Sequence, residues 1–243
     1  MKTLSSRLRH PHTALEHLLD LVFPPSCVGC HQRGAVMCMA CRAHIQPLPQ
    51  PFCQRCSAPL TSYGTCQACR AHSLRLSGLR AVSLYREPLR SFIHALKYEG
   101  QTRLAEPLGG LLAQAYSSYG IGADAIIPVP LHPERLRQRG YNHAQLLAEC
   151  FAAQVHIPLY NDVLVRERAT PAQVGLNFGQ RQQNVAGAFT CTPVFANGPL
   201  FGRTIVIIDD VCTTGSTLEA CAAPLFVAGA RAVWGLVLAR PSS

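Results

Sequence analysis

The sequence predicts an α/β fold: a parallel sheet flanked by helices, preceded by a small cysteine-rich module. Three observations carry this. Four Cys-x-x-Cys pairs crowd into residues 27–69. Beyond them, short apolar runs alternate with helical stretches, the pattern of βα units. And Ile205–Ile208 is apolar at every position, as a strand covered on both faces requires.

Taken in order, residues 1–25 carry Leu15, Leu18, Leu19 and Val22 at helical spacing and stop at Pro24-Pro25, which predicts an amphipathic helix. Glu16, His17 and Asp20 interrupt its apolar stretch, so it is a poor secretory leader. No apolar run reaches the 18 residues of a membrane span.

Residues 26–75 hold the pairs Cys27/Cys30, Cys38/Cys41, Cys53/Cys56 and Cys66/Cys69. Two sulfurs three residues apart reach one tetrahedral ion, so eight such cysteines make two four-cysteine structural zinc sites. Disulfides or a redox motif fit that spacing less well. Zinc thiolates need a reducing compartment, which predicts a cytoplasmic protein. Sequential pairing is favoured over interleaved, and His31, His44 and His72 are then not needed as ligands. A ribbon this small has almost no core and the metal replaces one. The module is either purely structural or a surface for nucleic acid or protein.

Charge is uneven. Of the +9 formal total, residues 1–80 hold nine Lys/Arg against two Asp/Glu, and residues 81–243 hold thirteen against eleven. Only Lys2 and Lys97 are lysines, and arginine forks suit phosphate. A polyanion such as single-stranded DNA is a candidate partner, beside the plainer reading of a solvated basic surface.

Residues 76–243 form the larger domain. Strands are expected at Leu79–Tyr85, Ala125–Val129, Ile205–Ile208 and Ala232–Leu238, and helices at Pro88–Tyr98, Leu104–Tyr116, Asn142–Val155 and about Thr217–Ala228. Pro224 should kink the last helix. The most informative stretch is Arg203–Thr217, RTIVIIDDVCTTGST. A strand ends in Asp209-Asp210, a loop of Thr213, Thr214, Gly215, Ser216 and Thr217 follows, and a helix begins. Ligands of parallel sheets collect at the carboxyl ends of strands, and a glycine-bearing loop at a helix N-terminus offers N–H groups to a phosphate. Carboxylates would repel that phosphate. Asp209 and Asp210 fit ribose hydroxyls or a hydrated divalent cation instead. Neither a Walker loop nor a dinucleotide fingerprint is present. Cys212 reads as a small filler rather than an activated thiol.

Two more segments bear on chemistry. Val129-Pro130-Leu131-His132 ends a strand and leads into Arg135, Arg137 and Arg139, a second anion site or a basic turn. Arg166–Val185 is polar, with Arg166, Arg168 and Arg181, and has the length of a lid.

Val206–Thr217 resembles the signature of type I phosphoribosyltransferases that binds 5-phosphoribosyl 1-pyrophosphate (PRPP). The resemblance implies that Asp209 and Asp210 bind the ribose hydroxyls, that residues 213–217 bind the 5-phosphate and that Mg2+ rides on the ligand. The chain from about 15 to 240 resembles the ComF family, which includes the GntX-type proteins. The matching stretches are FPPSCVGC, the four cysteine pairs, FIHALKYEG (92–100), PVPLHPERLRQRGYN (128–142), TPAQVGLNFGQRQQNV (170–185) and IIDDVCTTGST (207–217). That resemblance implies a pyrophosphate loop at Val129, Pro130, Leu131 and His132; in a transfer enzyme Arg137 and Arg181 would join it in stabilising the departing pyrophosphate. It also implies a closing loop at Thr170–Asn184 and a link to natural transformation and DNA uptake. Partners would be PRPP, single-stranded DNA and proteins of DNA uptake or recombination. Three functions are compatible: phosphoribosyl transfer to an unspecified acceptor, single-stranded DNA binding without catalysis, or PRPP sensing without turnover.

Overall fold

A computed structural model describes residues 23–72, 74–169, 184–195 and 198–241. The helix expected in residues 1–25 lies almost wholly outside them. So do the closing-loop residues 170–183, Arg181 included.

The main sheet has four parallel strands in the order β1-β6-β5-β2, where β1 is Gly78–Leu84, β2 Ala125–Pro128, β5 Thr204–Val211 and β6 Ala232–Arg240. The helices α3 (Leu89–Tyr98), α4 (Ala105–Tyr119), α5 (Pro133–Arg139), α6 (His143–Val155) and α7 (Ser216–Val227) surround it, and α1 (Met39–Ala43) and α2 (Gln67–Ala71) belong to the cysteine module. This is the expected α/β class. Strand β5 is buried on both faces, as its unbroken apolar run required: Ile205 and Ile207 pack with α7, Val206 and Ile208 with α3, α4 and α6. Gly235 lets β6 and α7 approach, since a methyl there would meet Leu79 and Leu218 at 2.6 and 2.9 Å.

Three expectations change. Strand β5 runs on to Val211, so both acids lie within it, because β6 extends to Arg240 and keeps pairing as far as Val211 with Ala239. The polar stretch after His132 is a helix, α5, with Pro133 at its first turn. An antiparallel pair, β3 (Leu164–Arg166) with β4 (Phe189–Cys191), brackets the expected closing loop. Pro224 lies inside α7, which continues to Val227.

The cysteine module straddles the sheet at its β1 edge. The first knuckle (Cys27, Met37, Cys41) packs with the α3/α4/α6 face, and the second (Cys53, Cys56) with the α7 face. Between them, the Leu48 N–H donates to Val82 O (3.0 Å), and Arg55 O accepts from Leu79 N–H (2.8 Å). The edge of β1 is thereby covered. No helix among the described residues is long and apolar enough to cross a membrane.

Candidate functional site

Strands β2 and β5 are neighbours, yet the helices that follow them pack on opposite faces, α6 largely with the first-knuckle side and α7 with the other. Their outgoing loops therefore splay, and a crevice opens at the carboxyl ends of the strands. The acids sit at this switch point. Strand alternation sends Asp210 to the α3/α6 face and Asp209 toward α7.

Asp210 is buried, with Lys97 Nζ of α3 at 2.5 Å from Oδ2 and His143 Nε2 of α6 at 3.4 Å from Oδ1. His143 Nε2 also lies 3.8 Å from Asp209 Oδ1. Arg139 donates to His143 Nδ1 at 2.8 Å. Guanidinium only donates, so Nδ1 is the acceptor and the ring proton sits on Nε2, facing the acids. Burial, with the Lys97 and Arg139 charges, lowers the His143 pKa against the pull of Asp210, so the ring is neutral. Burial also opposes the charge on Asp210, but Lys97 and His143 overcome it and hold this carboxyl well below the ordinary range. Burial and the Asp210 charge push Asp209 up to about 8. The pair is thus divided: Asp210 is an internal anion, while Asp209 lines a small concavity with Val211, Cys212 and residues 213–218.

That concavity is the expected phosphate loop. Gly215, at φ 87°, caps α7 in a left-handed conformation that favours glycine. Thr214 Oγ1 and Ser216 Oγ hydrogen-bond at 2.8 Å, and Ser216 is buried, so these hydroxyls shape the turn while Thr213 stays exposed. Burial pushes the Cys212 thiol up to about 12, consistent with a neutral filler.

The second loop lies alongside. Val129 N–H donates to Ile208 O (3.0 Å) and its carbonyl accepts from Asn142 Nδ2 (3.0 Å), which fixes the start of Val129-Pro130-Leu131-His132 next to the acids. His132 Nδ1 accepts the Glu134 N–H and caps α5. Of the arginines, Arg137 is exposed, whereas Arg139 turns to His143. Lys97 and His143 were therefore missed as site residues, and Arg139, expected in a second anion site or a basic turn, instead bonds His143. One signal was available: Lys97 is the only lysine beyond residue 2.

The cysteines pair sequentially. The sulfurs of Cys27, Cys30, Cys38 and Cys41 lie within 4.8 Å of one another, as do those of Cys53, Cys56, Cys66 and Cys69. Cys30 and Cys38 Sγ are 3.6 Å apart and Cys56 and Cys66 Sγ 3.7 Å. A tetrahedral zinc with 2.3 Å bonds needs about 3.8 Å. Cys27 and Cys53 Sγ each accept a backbone N–H, from Cys38 at 3.4 Å and Cys66 at 3.3 Å, as thiolate ligands do. Both sets fit structural Zn2+, and among the described residues no histidine joins either cluster.

Comparison with known proteins agrees. A double zinc ribbon domain family matches residues 18–70. "Competence protein F" of Haemophilus influenzae is 31% identical over 225 residues, 88% of this chain and 96% of that protein. The chain belongs to the ComF family. Other ComF-like relatives are "DNA utilization protein YhgH" of Escherichia coli (31%, 88% and 96% covered) and "Competence protein ComFC" of Bacillus subtilis (26%, 79% of each). A solved structure of a glutamine PRPP amidotransferase from B. subtilis, complexed with ADP and GMP, covers 60% of this ComF chain and 30% of that one at 20% identity. Its TM-score is 0.40.

Proposed function

We propose that this ComF protein binds PRPP with magnesium and transfers its phosphoribosyl group, acting in the competence and DNA-utilisation processes for which its relatives are named. One observation carries the reading: Asp209 and the 213–217 loop share one concavity at the switch point of a parallel sheet. The 5-phosphate would sit on residues 213–217 at the start of α7, and Asp209 would accept from ribose hydroxyls. Asp210 would keep its place behind Asp209 through Lys97 and His143. The 129–132 loop, with Arg137 and Arg181, would face the pyrophosphate. In the transfer a nucleophile on the acceptor bonds to the anomeric carbon as the carbon–oxygen bond to pyrophosphate breaks, and pyrophosphate leaves with the electron pair. The protein contributes position and charge neutralisation.

Ligand atoms of His143, Asp209 and Asp210 lie within 4.8 Å of one another, but Lys97 already holds Asp210. That arrangement suits magnesium arriving on the pyrophosphate better than a resident ion; magnesium would neutralise the leaving group. Calorimetry with magnesium–PRPP tests the site. Wild type should bind and Asp209→Asn should lose at least tenfold in affinity, whereas no binding by wild type removes the assignment. Pyrophosphate release with a panel of bases and amines then separates transfer from PRPP sensing.

A second reading rests on the second ribbon. An open concavity of about 650 Å3 is lined by Arg55, Tyr63, Gly64, Cys69 and Arg70, among others, and Tyr63 is 76% exposed. An exposed ring sharing a concavity with two arginines suits a stacked base and its phosphates. Salt-sensitive binding of single-stranded DNA, weakened by Tyr63→Ala and Arg70→Ala, is expected. Binding unchanged by both variants would remove this surface from consideration.

A further inference from the structure

The second ribbon is linked by two separate routes, one to the phosphate-type loop and one to the helix that follows it. Arg240, the last residue of β6, donates through Nη1 to the carbonyl of the zinc-ligand residue Cys56 (2.8 Å), and the same nitrogen lies 3.9 Å from Cys212 Sγ, where the loop begins. On α7, one turn past that loop, Glu219 accepts two backbone N–H groups, Arg75 on Oε2 and Leu76 on Oε1, both at 2.9 Å. Residues 75 and 76 are the chain leaving the ribbon. The same knuckle is also tied to β1, with Ser57 Oγ donating to Leu79 O at 2.7 Å. The first ribbon lies elsewhere, with Gly29 against Phe92 and Pro88.

We propose that the second zinc ribbon is a clamp that positions the 212–217 loop, with Arg240 and Glu219 as its positioning residues. Zinc at Cys53, Cys56, Cys66 and Cys69 and an anion on the loop then stabilise one another. A zinc ion with four thiolates carries net charge −2, and the guanidinium beside Cys56 is oriented by that charge. An oriented Arg240 keeps the Cys56 carbonyl and the start of the loop in register. Without zinc the knuckle loosens, and both ties to the loop and to α7 loosen with it. Coupling of two binding equilibria is reciprocal, so an anion on the loop must also retain the zinc.

The effect of anion binding rests on the PRPP reading; the effect of zinc on the loop does not. The test uses the full chain loaded with two zinc ions. In Cys69→Ser, amide hydrogen exchange across 212–219 should quicken at least tenfold, with little change there in Cys30→Ser. If Cys69→Ser does not fold, Arg240→Met and Glu219→Ala, which retain both metals, give the same reading with a smaller acceleration. Magnesium–PRPP should slow release of the second-site zinc to a chelator about fivefold and leave the first site unchanged. Arg240→Met should weaken magnesium–PRPP five- to tenfold, and Arg240→Lys should recover part of it. Variants that lower Tm with exchange at 212–219 and affinity unchanged would overturn the clamp. If wild type binds no PRPP, the functional reading fails, and exchange alone decides the clamp.

Discussion

The two zinc ribbons are built alike and placed differently. In each, the residue after the second cysteine takes a left-handed turn, His31 at φ 62° and Ser57 at φ 60°. In each, the first cysteine's carbonyl accepts that residue's N–H, and its sulfur accepts the N–H of the third cysteine. Yet His31 is exposed, whereas Ser57 is fully buried and bonded to β1. The first ribbon joins the α3/α4/α6 face, which supplies Lys97 and His143 to Asp210. The second joins the α7 face, which holds the loop. An identical local motif can thus leave its turn residue in solvent or bury it against the sheet, according to what it packs on.

The largest test of that difference removes a ligand from each ribbon. Structural zinc contributes folding free energy directly, on the order of 10 kcal/mol in small zinc peptides. Cys53→Ser should lose one zinc and lower the melting of the whole chain by more than 10 °C. Cys30→Ser should also lose one zinc but leave the sheet domain melting near wild type. Metal analysis with calorimetry checks both, and equal losses would erase the distinction.

Next is the charge that the first-ribbon face supplies. Lys97→Met leaves Asp210 buried without its counter-ion, which typically costs about 3–5 kcal/mol. Adding Asp210→Asn should recover most of it, as urea denaturation of the four proteins in a double-mutant cycle would show.

The two acids also titrate in opposite senses. Folded Asp209 keeps its proton up to about 8, while the unfolded chain releases it near 3.9. Between those values the folded state binds more protons, so its contribution is full at low pH and is lost as pH rises through about 8, by at most about 1.4 kcal/mol per unit. Asp210 is depressed instead, so its contribution is present above roughly 3.9 and is lost as pH falls below that. Asp209→Asn should flatten the neutral-range slope in denaturation measured from pH 5 to 9.

Smallest is the pair of turn residues. Ser57→Ala removes one donor from the Leu79 carbonyl, which keeps Arg80 Nη1 at 2.9 Å, and should cost about 1 kcal/mol. His31→Gly relieves a left-handed residue in the open and should be neutral or slightly stabilising. Matched denaturation curves check this, and a larger cost at His31 would contradict the placement.

Much of this was legible because it is local. Cysteine spacing sets which sulfurs can share an ion, and the apolar run 205–208 is the periodicity of a doubly covered strand. The misses were non-local or featureless. Helix α5, PERLRQR, has no apolar stripe to reveal it. Strands β3 and β4 are three residues each and far apart in sequence. The extension of β5 through both acids depends on the length of β6.

The sequence by itself determined the α/β class, the four cysteine pairs that suffice for two zinc sites and the stretch where the acids and the hydroxylated loop fall together, since spacing and hydrophobic period act over a few residues. Only the tertiary structure decided that Asp210 faces Lys97 and His143 while Asp209 faces the concavity, that the cysteines pair sequentially, and that the second ribbon is linked to the loop through Arg240. The reason is physical: alternation along β5 sends neighbouring acids to opposite faces, and what each then meets depends on helices and ribbons folded in from distant parts of the chain.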